Sequence, residues 1–569
     1  MKGTFINRKL FQNIAVYLGT AWVIVEATNF FMQRYSLPSF LDDLVLTVMS
    51  FGLVSFVLHS WYETRTGNSG ISRAEALFHG FIILMACSSC YLVIRNSGPS
   101  VSSYKFNQSE SDKSIAVLPF RNLTQNASFD YLGDGIADDI ITRLSQSGDF
   151  TVISPISSFK HREQDIDLKK ISGELGAADI LQGNYLIQNN SVRINVKLVN
   201  AVNNAIIVAR NFDGTIDNIL KLQGDVATGI AEALNIRRAP DNPSQPGTDK
   251  TVDINVYKNY QKGRSLLRED YISHDVINLS RQFFKKAIEQ DSMYANAYVG
   301  LAESYYYEMI FGYTSFKTIA PEVKLYATLA KNIQPESGEP YGILGVVALY
   351  EYNWEEAKSF LDKSLTLNPN YPFSNYYLSY YYNIYGEKQK AYDQLNRCIV
   401  LDPLNSNYQI LKAITQFYFK DYKESIGVVN KILATNPGHD EALFTLGIDK
   451  AALGDFQGAV DAFSKRAYGT NTNFALGYTY WMMGNTAKAR AILDYLLKKA
   501  NEQYVPATQI ALVYMGLHDY SKALDYLYKA YSENDGWLLL WTKYNKFFEP
   551  IRTDPRYREL LRKTNLQQD

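Results

Sequence analysis

Residues 369–403 read PNYPFSNYYLSYYYNIYGEKQKAYDQLNRCIVLDP, two stretches of helical spacing held between prolines. The same frame recurs on both sides. Pro335, Pro369, Pro403 and Pro437 stand 34 residues apart, preceded by Gln334, Asn368, Asp402 and Asn436. A fixed period of this length signals stacked copies of one supersecondary unit. Small residues keep the same step: Ala357, Ala391, Ser425 and Ala459, then Ala489 after 30 residues and Ala523 after a further 34. Counting from three residues beyond each proline, position 8 is Gly345, Ser379, Ala413 and Gly447, then Gly477 and Ala511 in two later units. Antiparallel helices approach closely only where a small side chain sits at the crossing, and a proline ends the second helix before the next pair begins. The pattern predicts a stack of helix pairs.

These registers resemble tetratricopeptide (TPR) repeats, although the tryptophan often found at position 4 is replaced by Tyr341, Asn375, Gln409 and Leu443. Two earlier units fit with insertions, one around Gly263 and Ala287 and one of 43 residues from Ala295 to Ser337, with its extra loop near Phe311 to Ile319. The expectation is an all-α solenoid of about eight pairs over residues 253–537, enough to bury a continuous interior. The tail over 538–569, which includes Trp541, resembles the capping helices of such arrays. The resemblance implies that the first helix of each pair lines a concave face and exposes positions 2, 5, 9, 12 and 13. Those positions give Tyr350, Phe373, Tyr376, Tyr380, Asn383, Asn407, Ile410, Phe417 and Tyr418, an aromatic groove for a protein or peptide partner. Asn383 and Asn407 are expected to bond the backbone of such a segment. The Lys and Arg clamp of chaperone-binding TPRs is missing from these positions.

Upstream, Ser114 to Phe120 has the pattern of a short buried strand, and Ile136, Ile140, Ile141 and Leu144 recur at helical spacing. Further strands are expected at 150–154, 180–187, 192–199 and 205–212, with turns at Asn189-Asn190 and Asn203-Asn204 where positive φ is tolerated. Helices over 168–175 and 217–234 complete a small α+β domain at 113–237, between linkers at 96–112 and 238–252. Gly133-Asp134-Gly135 lacks the third glycine of a dinucleotide loop and carries Asp134, Asp138 and Asp139, which repel phosphate, so it reads as a helix start. The stretch SIAVLPFRNLTQNASFDYLGDGIADDIITRLSQSGDFTVISPISSFKH, residues 114–161, looks like the TolB-like N-terminal domain of bacterial TPR proteins. In such proteins the resemblance implies an assembly or sensing module, attached to cyclase domains, winged-helix regulators or membrane anchors.

Three apolar runs precede it: Ile14–Met32, Leu44–Trp61 and Ala76–Ile94. Each is near the ~18 to 20 residues a helix needs to cross a bilayer, so residues 1–95 are expected to form a three-helix transmembrane anchor, a segment that also resembles the anchor such bacterial proteins carry. Lys2, Arg8 and Lys9 before the first run place the N-terminus in the cytoplasm. Three spans then put the TolB-like and TPR region on the periplasmic side of the inner membrane. Glu26 falls inside the first run, where an ionisable group invites a functional reading but also snorkels to an interface. His59 and His79 are expected to meet near the inner ends of runs two and three.

Composition narrows function. The 57 Lys and Arg balance 58 Asp and Glu, which argues against a nucleic-acid partner. Cys87, Cys90 and Cys398 make no disulfide framework. No nucleophile with a neighbouring base and no phosphate cradle is visible, and the six histidines, His59, His79, His161, His274, His439 and His518, show no ligand spacing within one helix turn. No catalytic, cofactor or metal residue is therefore assigned. The expected function is a membrane-anchored protein-interaction scaffold. The rival is a sensory or signalling regulator whose outer region senses a ligand or partner and acts through a membrane partner.

Overall fold

The computed structural model describes residues 40–66 and 113–566 apart from 125, 163–166, 235–252, 269–271, 467–472, 537 and 539–545, and parts of 16–28 and 76–89. Both expected linkers, Lys2, Arg8, Lys9 and Trp541 lie outside these residues. The chain divides into two compact units, 1–108 and 109–569.

In the first unit, helix α1 (Phe40–Thr66) opens on Asp42 and Asp43 and carries Ser50, Ser55, His59 and Ser60 within its apolar run. Of these, Ser50, Ser55 and His59 find partners. Ser55 Oγ lies 2.6 Å from His79 Nδ1, Tyr17 Oη donates to Met49 O at 2.9 Å, and Tyr17 stacks on Phe56 at 5.2 Å. His59 and His79 do approach, with ring centroids 6.2 Å apart, and Glu26 is exposed. Among the described residues no helix is long and apolar enough to cross a membrane. This overturns the transmembrane anchor in the expected fold class, and with it the inner-membrane placement and its periplasmic side. The physical reason lies in the run itself, whose apolar length carries hydrogen-bonding residues such as Ser55 that serve helix-to-helix contact.

The second unit begins with an α/β domain. Its sheet has strand order β3-β1-β4-β5-β6, built from β1 (Ser114–Val117), β2 (Arg121–Asn122), β3 (Thr151–Val152), β4 (Asp179–Gln188), β5 (Ser191–Asn200) and β6 (Ala205–Thr215), with β2 pairing β4 off that path. The strands β1, β3 and β4 run parallel, and β4 to β6 form an antiparallel meander. Its turns contain the left-handed residues Asn189 and Asn204, with φ 56° and 58°, a conformation asparagine tolerates better than most. Helices α2 (Tyr131–Ser145) and α4 (Ile219–Ala233) bury Ile136, Ile140, Val226 and Ile230 against one sheet face, and α3 (Leu168–Leu175) covers Ile180 on the other.

A TPR-like solenoid follows. Helix α5 (Ile254–Leu266) pairs with α6 (His274–Gln290), α7 (Ala295–Ile310) with α8 (Phe316–Ile333), α9 (Glu339–Tyr350) with α10 (Trp354–Leu367), and α11 (Pro372–Tyr385) with α12 (Lys388–Leu401). Then come α13 (Ser406–Tyr418) with α14 (Tyr422–Thr435), α15 (Asp440–Ala452) with α16 (Phe456–Ser464), α17 (Asn473–Met482) with α18 (Thr486–Ala500), and α19 (Ala507–Gly516) with α20 (Tyr520–Ser532). A terminal helix, α21, spans Pro555–Lys563.

The local chemistry repeats with the period. Helices α8, α10, α12 and α14 each stop two residues before a proline, and the residue between is extended, with ψ from 68° to 86°, because proline's ring bars its predecessor from the helical region. The turn inside each of the last six pairs uses a left-handed residue at position 15: Tyr352, Gly386, Lys420, Gly454, Gly484 and His518. The small position 8 is a contact point. A Cβ on Gly447 would stand 2.2 Å from Phe463 Cε1, and one on Gly345 2.7 Å from Leu361 Cγ. Gly447→Ala is therefore expected to lower stability by about 1–3 kcal/mol, read as a fall in the urea midpoint with unchanged helical circular dichroism before the transition.

Candidate functional site

The nine residues expected on the inner face take three positions. Asn407 is exposed, Phe373, Tyr376 and Tyr418 are half-buried, and Tyr350, Tyr380, Asn383, Ile410 and Phe417 are buried. Ile410 packs with Ala413, Val429 and Ala442 between pairs. Phe417 meets Tyr422 at 5.6 Å. Asn383 Nδ2 donates to Thr415 Oγ1 at 2.9 Å, tying α11 to α13. The rings still reachable on α11 rest on a dense aromatic bed: Phe373 lies 5.0 Å from Tyr377, Tyr376 lies 5.0 Å from Tyr377 and 5.9 Å from Tyr408, and Tyr306 bonds Tyr377 hydroxyl to hydroxyl. Burial pushes the Tyr376 phenol up to about 12, so these rings work as neutral, amphipathic contacts with a hydroxyl to donate.

A second constellation escaped the sequence reading. The α/β domain is bolted to one edge of the array. Asn370, in the loop between α10 and α11, uses all four of its amide's bonding positions. Its Oδ1 accepts from Val152 N at 3.3 Å and Arg397 Nη2 at 2.9 Å, and its Nδ2 donates to Ser145 O at 3.1 Å and Phe150 O at 2.9 Å. Nearby, Ser157 donates to Asp402, Ser154 N donates to Leu401 O at 2.7 Å, and Lys160 Nζ reaches Leu404 O at 2.9 Å.

At the start of the array the acidic face of α2 meets α5. Arg268 Nη2 donates to Asp138 Oδ2 at 2.7 Å and its Nη1 lies 3.6 Å from Asp134 Oδ2, Arg264 bonds Glu303, and Tyr257 Oη donates to Asp139 Oδ2 at 2.8 Å while accepting from Gln223. Gly133-Asp134-Gly135 is explained here. A Cβ on Gly133 would stand 2.2 Å from Phe120 O, and one on Gly135 2.5 Å from Tyr257 Oη. Both glycines serve close packing within a helix that starts at Tyr131. The buried core accordingly runs unbroken from the sheet into α5, α6 and α7, through Tyr257, Phe284 and Leu301.

Comparison with known proteins adds three findings. Residues 111–228 match the family described as "HilA/YgeH-like transcriptional regulator, second domain". A "Putative adenylate cyclase 3" of Rhizobium meliloti (strain 1021) is 28% identical over 205 residues, 36% of this chain and 34% of that protein; the chain thus spans about a third of the curated relative it matches. Among solved structures, a tetratricopeptide repeat protein from Parabacteroides merdae (18% identity, 47% of this chain, 98% of that one, TM-score 0.32) and a human IFIT1 dimer with m7Gppp-AAAA (15%, 55% and 77%, 0.36) are similar. With both TM-scores below 0.5, neither likeness bears on function.

Two carboxyls hold protons unusually tightly. Burial, then the neighbouring Asp138 charge, raises Asp139 to about 7, against the pull of the Tyr257 hydroxyl and Arg143. Burial raises Asp449 to about 8, with the Ser425 hydroxyl at 2.5 Å opposing it. An unfolded chain releases these protons near pH ~4, whereas the folded chain keeps them to about 7 or 8. The folded state then binds more protons across that window, so stability falls as pH rises through it. Urea titration at about pH 5 and about pH 8 is expected to give a lower midpoint at the higher pH. Asp449→Asn, which cannot ionise, is expected to flatten the drop; an unchanged slope would remove Asp449 from this account.

Proposed function

We propose that this chain is a protein-interaction scaffold that docks an extended segment of a partner protein on the inner face of its helical array. The division behind this reading is a domain at 113–237, an array of eight pairs at 253–537 and a cap at 538–569. The observation that carries it is the set of side chains left reachable on two successive inner helices: Phe373 and Tyr376 on α11, Asn407 and Tyr418 on α13. Half-buried tyrosines hold large contact area in few rotamers, and asparagine supplies a donor and an acceptor for a segment's backbone. Tyr350, Tyr380, Asn383, Ile410 and Phe417 shape the bed beneath. No reaction, cofactor or nucleic acid is assigned.

A photo-crosslinking residue placed at Tyr376 or Tyr418 in cells is expected to capture the same protein from both positions. At Lys363 or Asp393, on the second helices, it is expected to capture none. Equal capture from both sets of positions would contradict inner-face docking.

The two sequence matches favour a second reading, a signalling regulator. The matched α/β domain resembles part of transcriptional regulators and the 205-residue match lies in a protein named a putative adenylate cyclase. In that case the rigidly joined domain and array sense a ligand or partner and act on a separate effector. A captured partner that is itself a cyclase or a DNA-binding regulator would select this version.

A further inference from the structure

The inner face is already partly occupied. Tyr380 Oη donates to Gly536 O at 3.3 Å, Asn534 Nδ2 donates to Tyr350 O at 2.9 Å, and Lys317 N donates to Glu533 O at 3.3 Å. A Cβ on Gly536 would stand 2.3 Å from Tyr350 Cε1, so the tail's backbone lies directly on that ring. A second strap follows: Trp354 Nε1 donates to Thr564 O at 2.9 Å, Asn565 Nδ2 donates to Tyr352 O at 3.2 Å, and Tyr352 stacks on Tyr531 at 5.4 Å. These contacts join residues more than 150 positions apart in sequence. Their chemistry is that of segment capture. Array donors take tail carbonyls, and tail asparagines take Tyr350 O and Tyr352 O at the end of α9, carbonyls a helix leaves without partners of its own. Tyr350 and Tyr380, two of the expected inner-face positions, are buried, Tyr350 also stacking on Phe316 at 4.9 Å.

We propose that the turn closing the last helix pair, Glu533–Gly536, braced by Thr564–Leu566 on the α9–α10 turn, is the resident occupant of the inner face at Tyr350 and Tyr380, and that it is displaced when a partner segment docks. Displacement rests on the scaffold reading above; the clasp itself does not. The rings of Phe373, Tyr376 and Tyr418 receive the segment first, and Tyr350 and Tyr380 become available as the end leaves.

The test uses the full chain with Gly536→Val, which sets a branched side chain against Tyr350, and separately Trp354→Phe, which keeps an aromatic ring but removes the donor to Thr564 O. Hydrogen–deuterium exchange is expected to speed up at least about fivefold around Tyr350–Trp354 and Tyr380–Asn383 in both variants, from the unmade bonds, with the sheet β4–β6 unchanged. Unchanged exchange in both variants would overturn the clasp. So would a uniform rise through every helix in both, since the end would then be an inseparable part of the core. A crosslinker at Tyr376 is expected to capture severalfold more partner in Gly536→Val than in the parent chain. Equal capture overturns displacement. If neither chain captures anything, it is the docking reading that fails, and the exchange result still decides the clasp.

Discussion

Asn370→Ala is expected to split the unfolding of residues 109–569 into two transitions and to cost at least about 3 kcal/mol. The substitution deletes one small side chain on a loop, yet it removes four hydrogen bonds at once. Val152 N, Ser145 O and Phe150 O are left without that partner inside an interface whose residues are buried, and an unsatisfied buried polar group costs about 1–3 kcal/mol. Alanine is too small to let the loop collapse into the gap, and too apolar for water to be replaced. The α/β domain is then held through α5 and through the bonds of Ser154, Ser157 and Lys160 to Leu401–Leu404. Urea unfolding followed by exchange in β5 and separately in α15 is expected to show one shared midpoint in the parent chain and two in the variant. A single shared midpoint in Asn370→Ala would mean that the remaining contacts, at α2 and α5 and at Leu401–Leu404, suffice to make the two domains cooperative.

Arg268→Met is expected to destabilise by about 3–5 kcal/mol, because breaking a buried pair strands a charge rather than removing an interaction. The side chains of Arg268 and Asp138 are 11% and 7% exposed, so solvent screens little of the effect. Arg264 Nε stands 4.0 Å from the same Asp138 oxygen and offers partial compensation. Methionine also gives up the guanidinium's place over the Phe159 ring, 5.0 Å away. Adding Asp138→Asn to Arg268→Met is expected to recover much of the loss, since the stranded charge is gone. A double-mutant cycle by urea unfolding measures this coupling, and additive losses would show that the two residues do not act as a pair.

How much was legible follows from range. The TPR-like pairs are readable because their requirements are local and recur: a proline two residues after a helix, a small residue at the crossing, and a left-handed residue at the turn of the last six pairs. Tyr352, Lys420 and His518 hide the last of these, since only glycine advertises positive φ. Strands β4 to β6 were equally accessible, from alternation and the paired asparagines. Nothing local marks Asn370, whose partners lie 218 to 225 residues away apart from Arg397, or Gly536, whose glycine is required by a ring on another helix. The expected groove was drawn on an open solenoid. Tyr350 and Tyr380 meet residues 534–536 as well as Phe316 and Tyr377, and packing between pairs buries Ile410, Phe417 and Asn383. At the N-terminus, hydropathy alone suggested three spans, whereas Ser55 and His79 show two helices bonding to one another.

The central claim is that the first helix of each pair, not the second, receives the partner. Hydrogen–deuterium exchange on the full chain, with and without the protein captured at Tyr376, tests it most directly. Slower exchange in α11 and α13, over Phe373–Asn383 and Asn407–Tyr418, with α12 and α14 unchanged, is the result predicted. Protection confined to α12 and α14, or to the α/β domain, with α11 and α13 exchanging as before, would contradict it.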